Sequence, residues 1–118
     1  MNSLRRSCYM AFATILSTSF LFVGLAAAEP DGNDRKGKYS YRGVYKACNA
    51  RGEVESTKPA LNPDSKTRAQ WERVFKKKDF EQFGCAKEWE ALSEDELNNI
   101  LAYLWEHAAD SPTPAKCL

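Results

Sequence analysis

The sequence predicts a small all-α domain that works outside the cytoplasm. Three observations carry that expectation: a signal-like N-terminus, apolar residues recurring at helical spacing in three segments, and no visible β-hairpin pattern.

The N-terminus comes first. Arg5 and Arg6 precede a run from Cys8 to Leu25 that holds no charge; Ala26-Ala27-Ala28 and a polar stretch from Glu29 follow. A basic start, an apolar middle and a small-residue site are the parts of a secretory signal peptide, with the cut expected after Ala28. The apolar run is close to the length that just spans a bilayer. The small-residue site directly after it argues for removal rather than anchoring. The working chain is therefore expected in the periplasm or secreted, with no membrane association after cleavage.

Removing 28 of the 118 residues leaves 90, enough for one small domain. A domain of this size buries a modest share of its surface, so covalent or cofactor support is expected. Of the 17 basic residues 15 follow Ala28, against 16 acidic ones, a near-neutral balance with no general pull toward nucleic acid. Lys76-Lys77-Lys78 is the local basic cluster; it reads as a solvated helix end, or as a docking patch for an acidic partner. Cys48, Cys85 and Cys117 follow Ala28, where export favours disulfides, and their odd number leaves at least one thiol over. Both methionines, Met1 and Met10, precede the cut, and His107 is the sole histidine.

Glu29 to Lys38 is rich in Gly, Asp and Lys and reads as a flexible leader, with the domain proper taken from Gly37 to Leu118 and the leader as 29–36. A first helix is expected from Tyr39, because Tyr41, Val44, Tyr45 and Cys48 share one helical face. Gly43 would weaken it, or let another element approach closely. Asn49 to Asp64, with Gly52, Pro59 and Pro63, reads as a long loop wrapped around something. Ser65 or Thr67 caps a second helix whose stripe is Trp71, Val74 and Phe75 and whose last turn holds the three lysines. Asp79 to Leu92 is a connector containing Phe80, Phe83, Cys85 and Trp89. Ser93 and Glu96 form a capping box for the third helix, in which Leu97, Ile100, Leu101, Leu104, Trp105 and Ala108 repeat at helical spacing as far as Ala109. Pro112 and Pro114 prevent its continuation.

Gly37-Lys38-Tyr39-Ser40-Tyr41-Arg42, leading to Lys46-Ala47-Cys48, resembles the start of small class I c-type cytochromes. Leu97 to Leu104 resembles their C-terminal helix, which crosses the N-terminal one; Thr67 to Lys77 looks like the middle helix of one bacterial branch, and His107 to Pro112 followed by a Cys looks like that branch's tail. The resemblance covers roughly Gly37 to Cys117. It implies a cytochrome c-like domain of three main helices with long loops, haem binding and periplasmic electron transfer. The haem attachment motif C-x-x-C-H departs from this pattern. Tyr45 stands where the first Cys belongs and Asn49 where the His ligand belongs; Cys48 alone matches. An Asn amide is a poor iron ligand, and no methionine is left for the other side. The departure implies a chain without a cofactor that acts as an interaction module for a redox protein or envelope complex. The alternative is a working electron-transfer cytochrome with haem c held through Cys48 alone.

In relatives with the tail Cys, the two motif cysteines serve the haem. The resemblance therefore implies a Cys85–Cys117 disulfide, worth about 3–4 kcal/mol, and leaves Cys48 as the odd thiol. His107 reads as a C-terminal helix residue suited to the dipole, or as a metal ligand. With Cys48, Cys85 and Cys117 it would complete a Cys₃His zinc set, although no pair has close C-x-x-C spacing. Cys48 has no identifiable base, so no enzymatic activity is expected. Without haem, the tyrosines and tryptophans should fill the interior.

Overall fold

A computed structural model describes residues 29–115; the expected signal peptide (1–28) and Cys117 lie outside the described residues. Four helices lie among the described residues: α1 (Asp34–Ala50), α2 (Arg68–Lys77), the single-turn α3 (Ala86–Glu90) and α4 (Glu94–Glu106). Short 3₁₀ turns at Pro63–Ser65 and Glu81–Phe83 punctuate the connections, and there is no strand among the described residues.

α1 starts earlier than the apolar pattern announces. The Asn33 side chain accepts from the Lys36 amide, and Asp34 opens the first turn, where a carboxylate suits the helix dipole. Five residues assigned to a flexible leader, Asp34 to Lys38, are thus helical. The reason lies on α4. The Asn33 amide donates to Asn99 Oδ1 at 2.8 Å. A Cβ on Gly32 would fall 2.2 Å from the Asn98 carbonyl oxygen, and one on Gly37 would fall 1.8 Å from that of Asn99. Two glycines therefore let the start of α1 lie directly on the backbone of α4, a contact that a polar, glycine-rich stretch disguises. Gly43, the glycine expected to allow a close approach, has nothing within 4 Å of an added Cβ, so the close approach falls at Gly32 and Gly37 instead.

α1 and α4 make the main helix pair, and α2 packs on α4. α2 and α4 carry full capping boxes, Thr67 with Gln70 and Ser93 with Glu96. The guanidinium of Arg68 lies 3.8 Å from the centre of the Trp105 ring, and Trp105 Nε1 donates to Glu72 Oε1 at 2.9 Å, so an ion, a ring and a hydrogen bond tie α2 to α4. Lys78 closes α2 in the left-handed conformation and pairs with Glu94 at the start of α4. α4 ends at Glu106, short of the expected Ala109, because His107 caps it and the Ser111 hydroxyl donates to the Glu106 carbonyl.

Among the described residues no helix is long and apolar enough to cross a membrane. The core joins Tyr41, Val44, Tyr45 and Cys48 of α1 to Trp71 and Phe75 of α2, Phe83, Cys85 and Trp89 of the connector, and Ile100, Tyr103 and Leu104 of α4. The loop after α1 wraps this core: Tyr41 Oη donates to the Leu61 carbonyl at 2.6 Å and Trp71 Nε1 to that of Pro63 at 2.8 Å.

The two glycines of α1 give a paired prediction. Gly37→Ala forces the helices apart and should cost about 1–3 kcal/mol or more. Gly43→Ala meets nothing and should gain about 0.5–1 kcal/mol. Urea denaturation of both variants checks the pair; equal effects would contradict the crossing described.

Candidate functional site

The expected site residues are Cys48, Asn49, Cys85, Cys117 and His107. Cys48 and Cys85 come together in a disulfide, with Cα atoms 5.8 Å apart. This overturns the expected Cys85–Cys117 bridge. Cys48 occupies the last turn of α1, and the connector brings Cys85 to it. Gly84 and Cys85 both adopt positive φ, 64° and 56°, which turns the chain from the 3₁₀ segment into α3. Nothing in the spacing of the cysteines announces that turn. The bridge spans 37 residues and should contribute about 4 kcal/mol in the chain-entropy model. It also spends the sulfur that was expected to be the odd thiol. Both cysteines are buried, so the bond is shielded from exchange with solvent thiols.

A charged collar caps the bridge. Arg51, the C-cap of α1, donates through Nε and Nη2 to the two carboxylate oxygens of Glu88 at 2.8 and 2.9 Å, and Nη2 also reaches Glu53 Oε2 at 2.8 Å. The hydrogen bond from Arg51 holds the Glu88 carboxyl below the usual range, and the same bond raises the guanidinium pKa. Cys48 Sγ lies 3.0 Å from Glu53 Oε2; a bonded sulfur carries no proton, so this is a contact rather than a hydrogen bond. The donor atoms of Cys48, Glu53, Cys85 and Glu88 all fall within 4.8 Å of one another. With the sulfurs joined and both carboxylates on Arg51, the group holds no thiolate for a metal.

Asn49 and His107 are occupied locally and are not brought together by any contact. Asn49 Nδ2 donates to the Val54 carbonyl at 2.9 Å, which fastens the first turn of the loop after α1. His107 Nδ1 lies 2.9 Å from the Thr113 carbonyl, which can only accept, so Nδ1 carries the proton. Its ring meets Tyr103 edge-on, with centroids 5.4 Å apart. The Cys₃His zinc set is not assembled: Cys48 and Cys85 are bonded to each other, His107 serves the tail, and Cys117 lies outside the described residues.

Beside the bridge lies an aromatic cluster that residue type alone announced only as core. Trp89 stacks on Phe83 and Phe80 with centroids 4.5 and 4.9 Å apart, and Tyr41 meets Tyr45 and Phe83 edge-on. Such pairs contribute about 0.5–1.5 kcal/mol each beyond their burial. Tyr45 Oη donates to the Phe83 carbonyl at 3.0 Å, so this residue is a buried tie between α1 and the connector. The Trp89 indole N–H is buried with no acceptor among the described residues. Of the basic cluster, Lys76 and Lys77 are exposed and Lys78 pairs with Glu94. Among the described residues the large apolar side chain left exposed is instead Tyr39, on α1.

No family model, curated protein or solved structure matches the chain.

The buried phenols give a pH prediction. Burial raises the pKa of Tyr41, Tyr45 and Tyr103. The folded chain keeps these protons while the unfolded chain releases them near pH ~10. Their contribution is therefore complete below that pH and lost above it, because the unfolded state then binds fewer protons. The urea midpoint should fall as pH rises past about 10, and fall less in Tyr41→Phe. An equal fall in both proteins would contradict the assignment.

Proposed function

We propose that this chain is an exported, cytochrome c-like module that works without haem and docks on a redox protein or an envelope complex. The observation that carries the reading is the fate of Cys48. It is the one position that matches the haem-attachment motif, and its sulfur is bonded to Cys85 inside the core. A thioether at Cys48 would need that bond broken first. Tyr45 and Asn49, which stand at the other two motif positions, are each committed to hydrogen bonds with backbone carbonyls. The close crossing of α1 and α4 at Gly37 supports the cytochrome-like part of the reading, since the resemblance joins the N-terminal and C-terminal helices in that way. The packed rings of Tyr41, Phe83 and Trp89 support the haem-less part, because they occupy interior volume next to Cys48.

Export rests on the charge pattern of residues 1–28. No catalytic role is proposed. The buried bridge offers no nucleophile, and the imidazole of His107 is held by the tail.

The test is a visible spectrum of the full-length chain expressed in cells that mature c-type cytochromes and purified after processing. The reading predicts a colourless protein and no haem stain after denaturation. A Soret band that survives denaturation would establish covalent haem and defeat it.

A further inference from the structure

Two surfaces of the chain are complementary to each other. The first is a face of α1. Arg35, Lys38, Tyr39 and Arg42 stand at helical spacing around a groove of about 340 Å³. Among the described residues none of the three cations has an ion-pair partner. Tyr39 between them is 76 % exposed, the one large apolar side chain so placed among the described residues. α1 as a whole holds Arg35, Lys36, Lys38, Arg42 and Lys46 against Asp34 alone.

The second surface is a groove of about 460 Å³ where the connector meets α4. Phe80, Trp89 and Leu92 line it together with Glu81 and Glu90, and with Lys78, whose charge is met by Glu94 of the same lining. The surrounding stretch, residues 78–96, carries seven acidic residues against Lys78 and Lys87; Glu94 is paired with Lys78 and Glu88 with Arg51. The two surfaces share no residue. One offers an aromatic side chain set among cations; the other offers an apolar slot set among carboxylates. A near-neutral chain that segregates its charges in this way carries the complement of its own binding face.

We propose that the occupant of the groove is a second copy of this chain, with Tyr39 of one copy seated between Phe80 and Leu92 of the next and Arg35 and Lys38 facing Glu81 and Glu90. Each contact joins unlike surfaces, so it is heterologous and extends from copy to copy unless the geometry closes it. One tyrosine and a few ion pairs make a small interface, well below the roughly 1,200 Å² of stable complexes, so the association is weak and salt-sensitive. The inference is independent of the haem-less reading, because neither surface includes Cys48, Tyr45 or Asn49.

The test uses analytical ultracentrifugation of the full-length chain, expressed so that processing takes place, with Cys117→Ser throughout to remove intermolecular disulfides. The parent should rise with concentration to about twice the monomer mass or more and return to monomer at high salt. Two charge-reversed variants are compared, Arg35→Glu/Lys38→Glu and Glu81→Lys/Glu90→Lys. Each alone carries like charges on both surfaces and should stay monomeric. Mixed one to one, each supplies the complement the other lacks, and association should return. A parent that is monomeric at every concentration, or a mixture that behaves as its separate parts, would overturn the proposal. Circular dichroism of each variant establishes that it is folded.

Discussion

The constraint on which the structure depends is the covalent tie between the last turn of α1 and the left-handed residue that begins α3. Cys48 lies on the buried face of α1 together with Tyr41, Val44 and Tyr45. Holding Cys85 against it pulls the connector onto that face. Phe83 and Trp89 then have no place but the interior, where they meet Tyr41 and each other. A small domain buries too little surface to fix such a long, irregular connector by packing alone. A bridge worth about 4 kcal/mol is a large part of the stability such domains have. Arg51 and Glu88 repeat the tie at the surface, between the residue that caps α1 and the short helix that follows Cys85.

The same tie decides the chemistry. In the proposed cytochrome-like reading Cys48 is the haem-attachment position, and that role needs a free thiol. Here the sulfur is bonded and buried, and the neighbouring motif positions hold side chains that bond to backbone carbonyls. The interior beside it is aromatic, held by edge-on and stacked contacts and by phenol hydroxyls that each reach a carbonyl. Among the described residues, the exposed Tyr39 beside cations without an ion-pair partner and the acid-edged groove lined by Phe80 are left open by packing.

Much of the helical frame was legible in the residues. The Ser93–Glu96 capping box and the apolar stripe of α4 announce that helix, and the stripe of Trp71, Val74 and Phe75 announces α2, because both signals are local. The start of α1 was hidden for the opposite reason. Gly32 and Gly37 look like linker residues until the backbone of Asn98 and Asn99 is seen against them. α3 was missed as well: a five-residue helix gives no periodicity to read. The disulfide pairing was not legible either. It follows from two consecutive positive-φ residues, and Cys85 is a residue type from which that conformation is not expected. Tyr45 and Asn49 stand out in the sequence only through the resemblance, and their hydrogen bonds depend on a loop and a connector that sequence spacing does not position.

The partner of Cys85 is tested most directly by non-reducing peptide mapping of the purified chain by mass spectrometry. The account predicts one linked pair, the peptide containing Cys48 joined to the peptide containing Cys85. A Cys85–Cys117 linked peptide, or a Cys48 peptide carrying the mass of haem, would contradict it.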